Sequence, residues 1–171
     1  MAAAEHREMF VQFAATYPGL PLYRAICEGV AGDDDVASLL DAAGPGQARP
    51  ALLLAALHDL VLRRPDLAAA RWYPSVTGDA LPDGDPWPDV RAAALDHADE
   101  LRAVIGSRST QTNEVNRSVH LGCLLAEAAR DVPDAPVALV EMGASAGLLL
   151  GLDRYRIEAV GPEAGATVLG D

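Results

Sequence analysis

The stretch from Val137 to Gly147 constrains the fold of this chain more than any other. Val137, Ala138, Leu139 and Val140 form a short unbroken apolar run, preceded by Pro136 and followed by the turn Glu141-Met142-Gly143-Ala144-Ser145-Ala146-Gly147. An apolar run of this length between such breakers predicts a strand buried on both faces of a parallel sheet. Leu148, Leu149, Leu150 and Leu152 then predict a helix starting near Ala146. Strand, small-residue turn and helix in that order open a βαβ unit.

Upstream, the pattern is helical. Phe10, Phe13, Ala14 and Tyr17 fall at i, i+3, i+4 and i+7 and are stopped by Pro18 and Gly19. Leu22, Ile26 and Val30 mark a second helix, and Asp33 to Asp35 cap a third that carries Val36, Leu39, Leu40 and Ala43 and ends at Gly44 and Pro45. That aspartate run is read as helix-terminus charge rather than as a metal site. Pro50 to Arg64 is apolar on most sides, which predicts a central buried helix with His58 as a hydrogen-bonded core residue. Pro74 to Pro88 reads as a solvated loop, whose aspartates lack the ligand order of a calcium loop. One long helix is expected from Asp89, through Val90, Ala94, Leu101 and Ile105, to a stop at Gly106. Another opens at Thr112 or Asn113 and runs to about Arg130.

Composition narrows the function classes. The formal net charge of -12 disfavours nucleic acid and anionic lipid, and no arginine-dense patch offsets it. The longest apolar run, Leu52 to Leu57, is far shorter than the roughly 20 residues a spanning helix needs. His6, Arg7 and Glu8 stand where a secretory signal requires apolar residues. Cys27 and Cys123 lack metal-ligand or CxxC spacing and read as buried reduced thiols. Together these predict a cytoplasmic protein that binds neither nucleic acid nor membrane and holds no metal.

Three patterns compete for the turn. A dinucleotide fingerprint starting at Gly143 would put Ser145 and Leu148 where glycines belong. Gly143 to Gly147 matches G-x-S-x-G, the nucleophile elbow of serine hydrolases, yet His6, His58, His97 and His120 all precede Ser145, against the usual triad order. The third pattern fits best: E-x-G-x-S-x-G resembles the first motif of S-adenosylmethionine-dependent methyltransferases, with Ser145 in place of the middle glycine. A second polar cluster, Thr110 to Arg117, admits two readings. Thr112 or Asn113 caps a helix with Glu114 and Arg117 as an i, i+3 pair, or Thr112, Asn113, Glu114 and Arg117 reach toward the cofactor loop.

The segments PLYRAICEGV, RPALLLAALHDLVLR, Trp72-Tyr73-Pro74-Ser75, TQTNEVNRS and LVEMGASAGLLLGLDRY, in that order, resemble a bacterial domain of unknown function, DUF family 2332, over nearly the whole chain. The resemblance implies an α/β but predominantly α architecture: a helical domain over 1–130, then over 131–171 the first strand-loop-helix of a Rossmann-like, methyltransferase-type domain. That domain is expected to be truncated, since the chain stops at Asp171 before most of the sheet. The family usually has Asn where Leu149 stands. By resemblance, Glu141 meets the amino end of the methionine moiety, and Gly143, Ala144, Ser145 and Gly147 form the loop beneath S-adenosylmethionine. No catalytic base is implied. The alternatives are a non-catalytic helical interaction or structural module, and a serine hydrolase built on Ser145. A truncated sheet would also expose a strand edge at Val137 to Val140 through which copies associate.

Overall fold

A computed structural model describes residues 3–78, 82–111, 114–130, 136–159 and 167–170. Two compact units divide the chain, Met1–Thr110 and Gln111–Asp171.

The first unit is built from helices whose apolar stripes meet in one core. Helix α1 (Ala3–Thr16) buries Phe10 and Ala14 and packs on α2 (Pro21–Ala31), which starts on Pro21 and buries Ile26, Cys27 and Val30. Asp33 ends the connection and caps α3 (Asp34–Ala37), its carboxylate accepting from the Asp35 and Val36 amides at 3.1 Å each. A 3-10 turn, Ser38–Ala42, adds Leu39 and Leu40 to the core. The longest apolar stretch forms α4 (Pro50–Arg63), where Leu52, Leu53, Leu54, Ala56, Leu57, Leu60 and Val61 are all buried. This is the expected central helix, and its burial on most sides follows from an apolar surface wider than one stripe.

Several sequence expectations change in this unit. The loop expected from Pro74 to Pro88 begins with a helical turn, α5 (Pro74–Thr77), which follows a 3-10 turn at Ala68–Trp72. The long helix expected from Asp89 is two helices, α6 (Trp87–Asp96) and α7 (Ala98–Ser107), broken at His97. The His97 amide donates to the Ala93 carbonyl and its own carbonyl accepts from Leu101, so His97 links the end of α6 to the start of α7. The bend brings Leu101 and Ile105 into full burial, with α7 against α4 and the Ser38–Ala42 turn. Gly106 lies inside α7 instead of closing it, at a place where a Cβ would crowd the Ala42 carbonyl at 3.1 Å.

The second unit departs from the expected α/β architecture. Helix α8 (Arg117–Ala128) packs on a kinked 3-10 segment, Leu148–Arg154. Val137 to Val140, expected as a strand buried on both faces, forms neither strand nor helix, and Val137 is 59% and Val140 84% exposed. A strand of that kind needs a paired neighbour on each side and covering layers above and below. None is found among the described residues. The strands that are described, β1 (Ile157–Ala159) and β2 (Thr167–Gly170), pair antiparallel with each other, in a register running from Ile157 opposite Gly170 to Ala159 opposite Thr167. A Rossmann-like opening requires parallel strands joined by a crossover, so that fold class is overturned: the chain is predominantly helical, and its strands among the described residues form a two-stranded antiparallel sheet. The strand edge expected at 137–140 goes with it, although the apolar side chains there are open to solvent.

Candidate functional site

The loop after the exposed run is shaped by its small residues. Gly143, Ser145 and Gly147 hold φ angles of 75°, 52° and 70°, while Ala144 and Ala146 between them keep negative φ. The Gly147 amide donates to the Ala144 carbonyl at 2.7 Å, closing a tight turn with Ser145 at its first central position. A positive φ followed by a negative one is the type II′ pattern, in which glycine normally leads. Ser145 therefore occupies a backbone conformation that glycine normally takes. Alternation of left- and right-handed residues turns successive N–H groups toward one side, forming a concave cradle for negative charge or lone pairs. The turn at Met142–Gly143 directs the Ala144 amide back toward the Glu141 carbonyl, while among the described residues the amides of Gly143, Ser145 and Ala146 make no backbone hydrogen bond.

Glu141 stands at the entrance to this loop. Its Oε2 is shielded from solvent and has no hydrogen-bond partner. A buried acceptor left unpaired costs about 1–3 kcal/mol, so the position favours a donor brought from outside. A Cβ built on Gly143 would meet nothing within 4 Å, which leaves the space over the turn open.

Thus Glu141, Gly143, Ala144, Ser145 and Gly147 come together as one continuous turn. The second cluster fares differently. Thr112 and Asn113 lie outside the described residues. Glu114 accepts from the Asn116 amide at 2.9 Å through its side chain and from Arg117 Nε at 3.3 Å through its carbonyl, a self-contained arrangement at the start of α8. These contacts are neither of the two expected arrangements: Arg117 bonds the Glu114 carbonyl instead of pairing with its carboxylate, and no side chain caps the helix. Helix α8 itself begins at Arg117, not at Thr112 or Asn113.

Ser145 bonds to no histidine among the described residues. The serine that does so is Ser75, 2.6 Å from His58 Nε2. The sequence reading placed His58 in the core; it sits instead at the core's edge, half-buried, with Ser75 exposed beside it. The two residues are 17 positions apart, so no local spacing pattern contains both. Of the two cysteines expected to be buried, Cys27 is, with its thiol pushed up to about 12 by burial and by neighbouring Glu28, whereas Cys123 is exposed. No group of three or more His, Cys, Asp or Glu among the described residues is placed to hold a metal ion, and no described helix is long and apolar enough to cross a membrane.

A family model described as an uncharacterized protein conserved in bacteria (DUF2332) matches residues 7–169. No curated protein and no solved structure matches the chain.

Proposed function

The chain belongs to the bacterial family DUF2332, and from that footing we propose that its Glu141–Gly147 turn binds S-adenosylmethionine, making the protein a methyl-transferring enzyme. The observation that carries the proposal is the pairing of an unpartnered, solvent-shielded Glu141 oxygen with the Gly143, Ser145 and Ala146 amides of the adjoining turn, which make no backbone hydrogen bond. The methionine end of the ligand is a zwitterion. Its ammonium supplies the donor that Glu141 lacks, and its carboxylate suits the amides of Gly143, Ser145 and Ala146. The sulfonium adds positive charge, which a chain of net charge -12 attracts and which sets this ligand apart from anionic dinucleotides. When bound, S-adenosylmethionine supplies a methyl group to a nucleophile; the loop's own task is to fix its orientation, where most of the rate gain in such a transfer resides.

The proposal stands on the loop alone and requires no Rossmann-like sheet. Calorimetric titration of the purified chain with S-adenosylmethionine and S-adenosylhomocysteine tests it. Binding is expected, weakened roughly tenfold or more in Glu141→Gln, because a hydrogen bond to a charged group contributes about 1.5–3 kcal/mol. Gly143→Val, which fills the open space and resists positive φ, should abolish it. Absence of heat at millimolar ligand overturns the proposal and leaves the alternative of a non-catalytic helical module, which the self-sufficient core of the first unit favours.

A further inference from the structure

The first unit contains a second polar constellation, independent of the loop. His58 on α4 projects between α2 and α5. Its Nε2 lies 2.6 Å from Ser75 Oγ and its Nδ1 3.5 Å from the Tyr23 hydroxyl. The ring stacks on Tyr73 with centroids 5.1 Å apart and planes 27° from parallel. Tyr73 is only 2% exposed, and its hydroxyl has no hydrogen-bond partner. Burial raises the phenol of Tyr73 above its ordinary range, with Tyr23 nearby adding to the effect, so both tyrosines stay neutral.

The geometry points to Ser75 as a histidine-activated nucleophile that takes up an acyl group from small esters. A serine hydroxyl is unreactive until a base accepts its proton, and the diagnostic arrangement is a serine within hydrogen-bond reach of a base that a third group orients. Here Ser75 donates to His58 Nε2 in the tautomer that carries its proton on Nδ1, toward Tyr23. Tyr73 fixes the ring plane from the buried side, and Ser75 is exposed on the other. In the reaction, Ser75 Oγ bonds to the acyl carbon and the ester C–O bond breaks. The serine proton passes to His58 Nε2 and on to the leaving alkoxide, and water later releases the acid by the same route in reverse.

Turnover should be slow. The Val76 and Thr77 amides both donate to the Tyr73 carbonyl, at 2.8 and 3.2 Å, so the residue after the nucleophile offers no free amide to a developing oxyanion. The expected behaviour is a burst of one product equivalent per chain, followed by a much slower phase.

The full-length chain is treated with a fluorophosphonate, where Oγ displaces fluoride from phosphorus, and the adduct is mapped by mass spectrometry; p-nitrophenyl acetate gives the burst. One adduct is expected, at Ser75, absent in Ser75→Ala. His58→Gln retains a hydrogen-bonding side chain but cannot relay a proton, so it should slow labelling roughly a hundredfold while leaving the unfolding midpoint nearly unchanged. Tyr23→Phe, at a positioning residue, should slow it less. No adduct on a folded chain, an adduct at Ser145 instead, or equal rates in wild type and His58→Gln each overturn the assignment. None of these outcomes bears on ligand binding at Glu141.

Discussion

The two units of this chain use equally apolar sequence in opposite ways. In the first, Leu52, Leu53, Leu54, Leu57, Leu60 and Val61 disappear into a core completed by Phe10, Ile26, Leu101 and Ile105. In the second, Val137, Val140 and Met142 stand in solvent, Met142 at 94% exposure, and Leu149 is the one buried large apolar side chain among the described residues. The difference lies in where the partners come from. A helix closes its hydrogen bonds within its own segment and needs only one face covered, whereas an apolar extended run needs neighbours supplied from elsewhere. Apolar character predicts burial only when the covering surface is present.

The sharpest way to break the contrast is at Gly29, where α2 meets α6. A Cβ there would lie 2.1 Å from Trp87 Cδ2 and under 2.7 Å from two further atoms of that ring. Alanine gains about 1 kcal/mol in helix propensity over glycine. The overlap outweighs that gain, because the whole indole must move and well-packed cores lose about 1–3 kcal/mol or more when overfilled. Gly29→Ala is expected to destabilise the first unit by about 2 kcal/mol in urea unfolding, and Gly29→Ala with Trp87→Leu to recover part of the loss. A neutral Gly29→Ala would mean that this core is no tighter than the exposed second unit.

Next in size is Asp33, which joins α3 to α6. It caps α3 and receives Arg91 Nε from α6 at 2.5 Å. Burial alone would raise its carboxyl, but the hydrogen bonds from Arg91, Val36 and Asp35 and the Arg91 charge outweigh this and hold it below the ordinary aspartate range. A carboxyl depressed by folding stabilises the native state above its unfolded pKa, and that contribution fades as pH falls through the folded value. Asp33→Ala should cost roughly 1–2 kcal/mol at neutral pH, and the gap from wild type should close in acid. A gap independent of pH would show that lost packing, not charge, is responsible.

Much of the first unit was legible because its signals are local. The Phe10, Phe13 and Ala14 spacing, the Asp33 cap and the apolar width of α4 each lie within a few turns of chain. The His97 bend and α5 were not visible: both are set by what α7 and Tyr73 pack against, and those partners are remote. The loop was half legible. The small residues from Gly143 to Gly147 signal a sharp turn, which is present, yet the strand expected before them follows from composition alone, without a partner to pair with. The His58–Ser75 contact was missed for a related reason, since a histidine on an apolar helix resembles a core residue until the chain that approaches its edge is known.

The smallest predicted effect tests that lesson most directly. Val140 is as apolar as any core residue, and by sequence alone Val140→Ser would be expected to cost what a buried valine costs, about 1.5–3 kcal/mol. At 84% exposure it has little apolar area left to lose. The change should therefore fall within about 0.5 kcal/mol of wild type, as for other surface substitutions. Urea unfolding at matched protein concentrations measures it. A loss near the buried-valine value would mean that the run is covered in solution by a surface from elsewhere, which would erase the contrast between the two units at the residue where it is greatest.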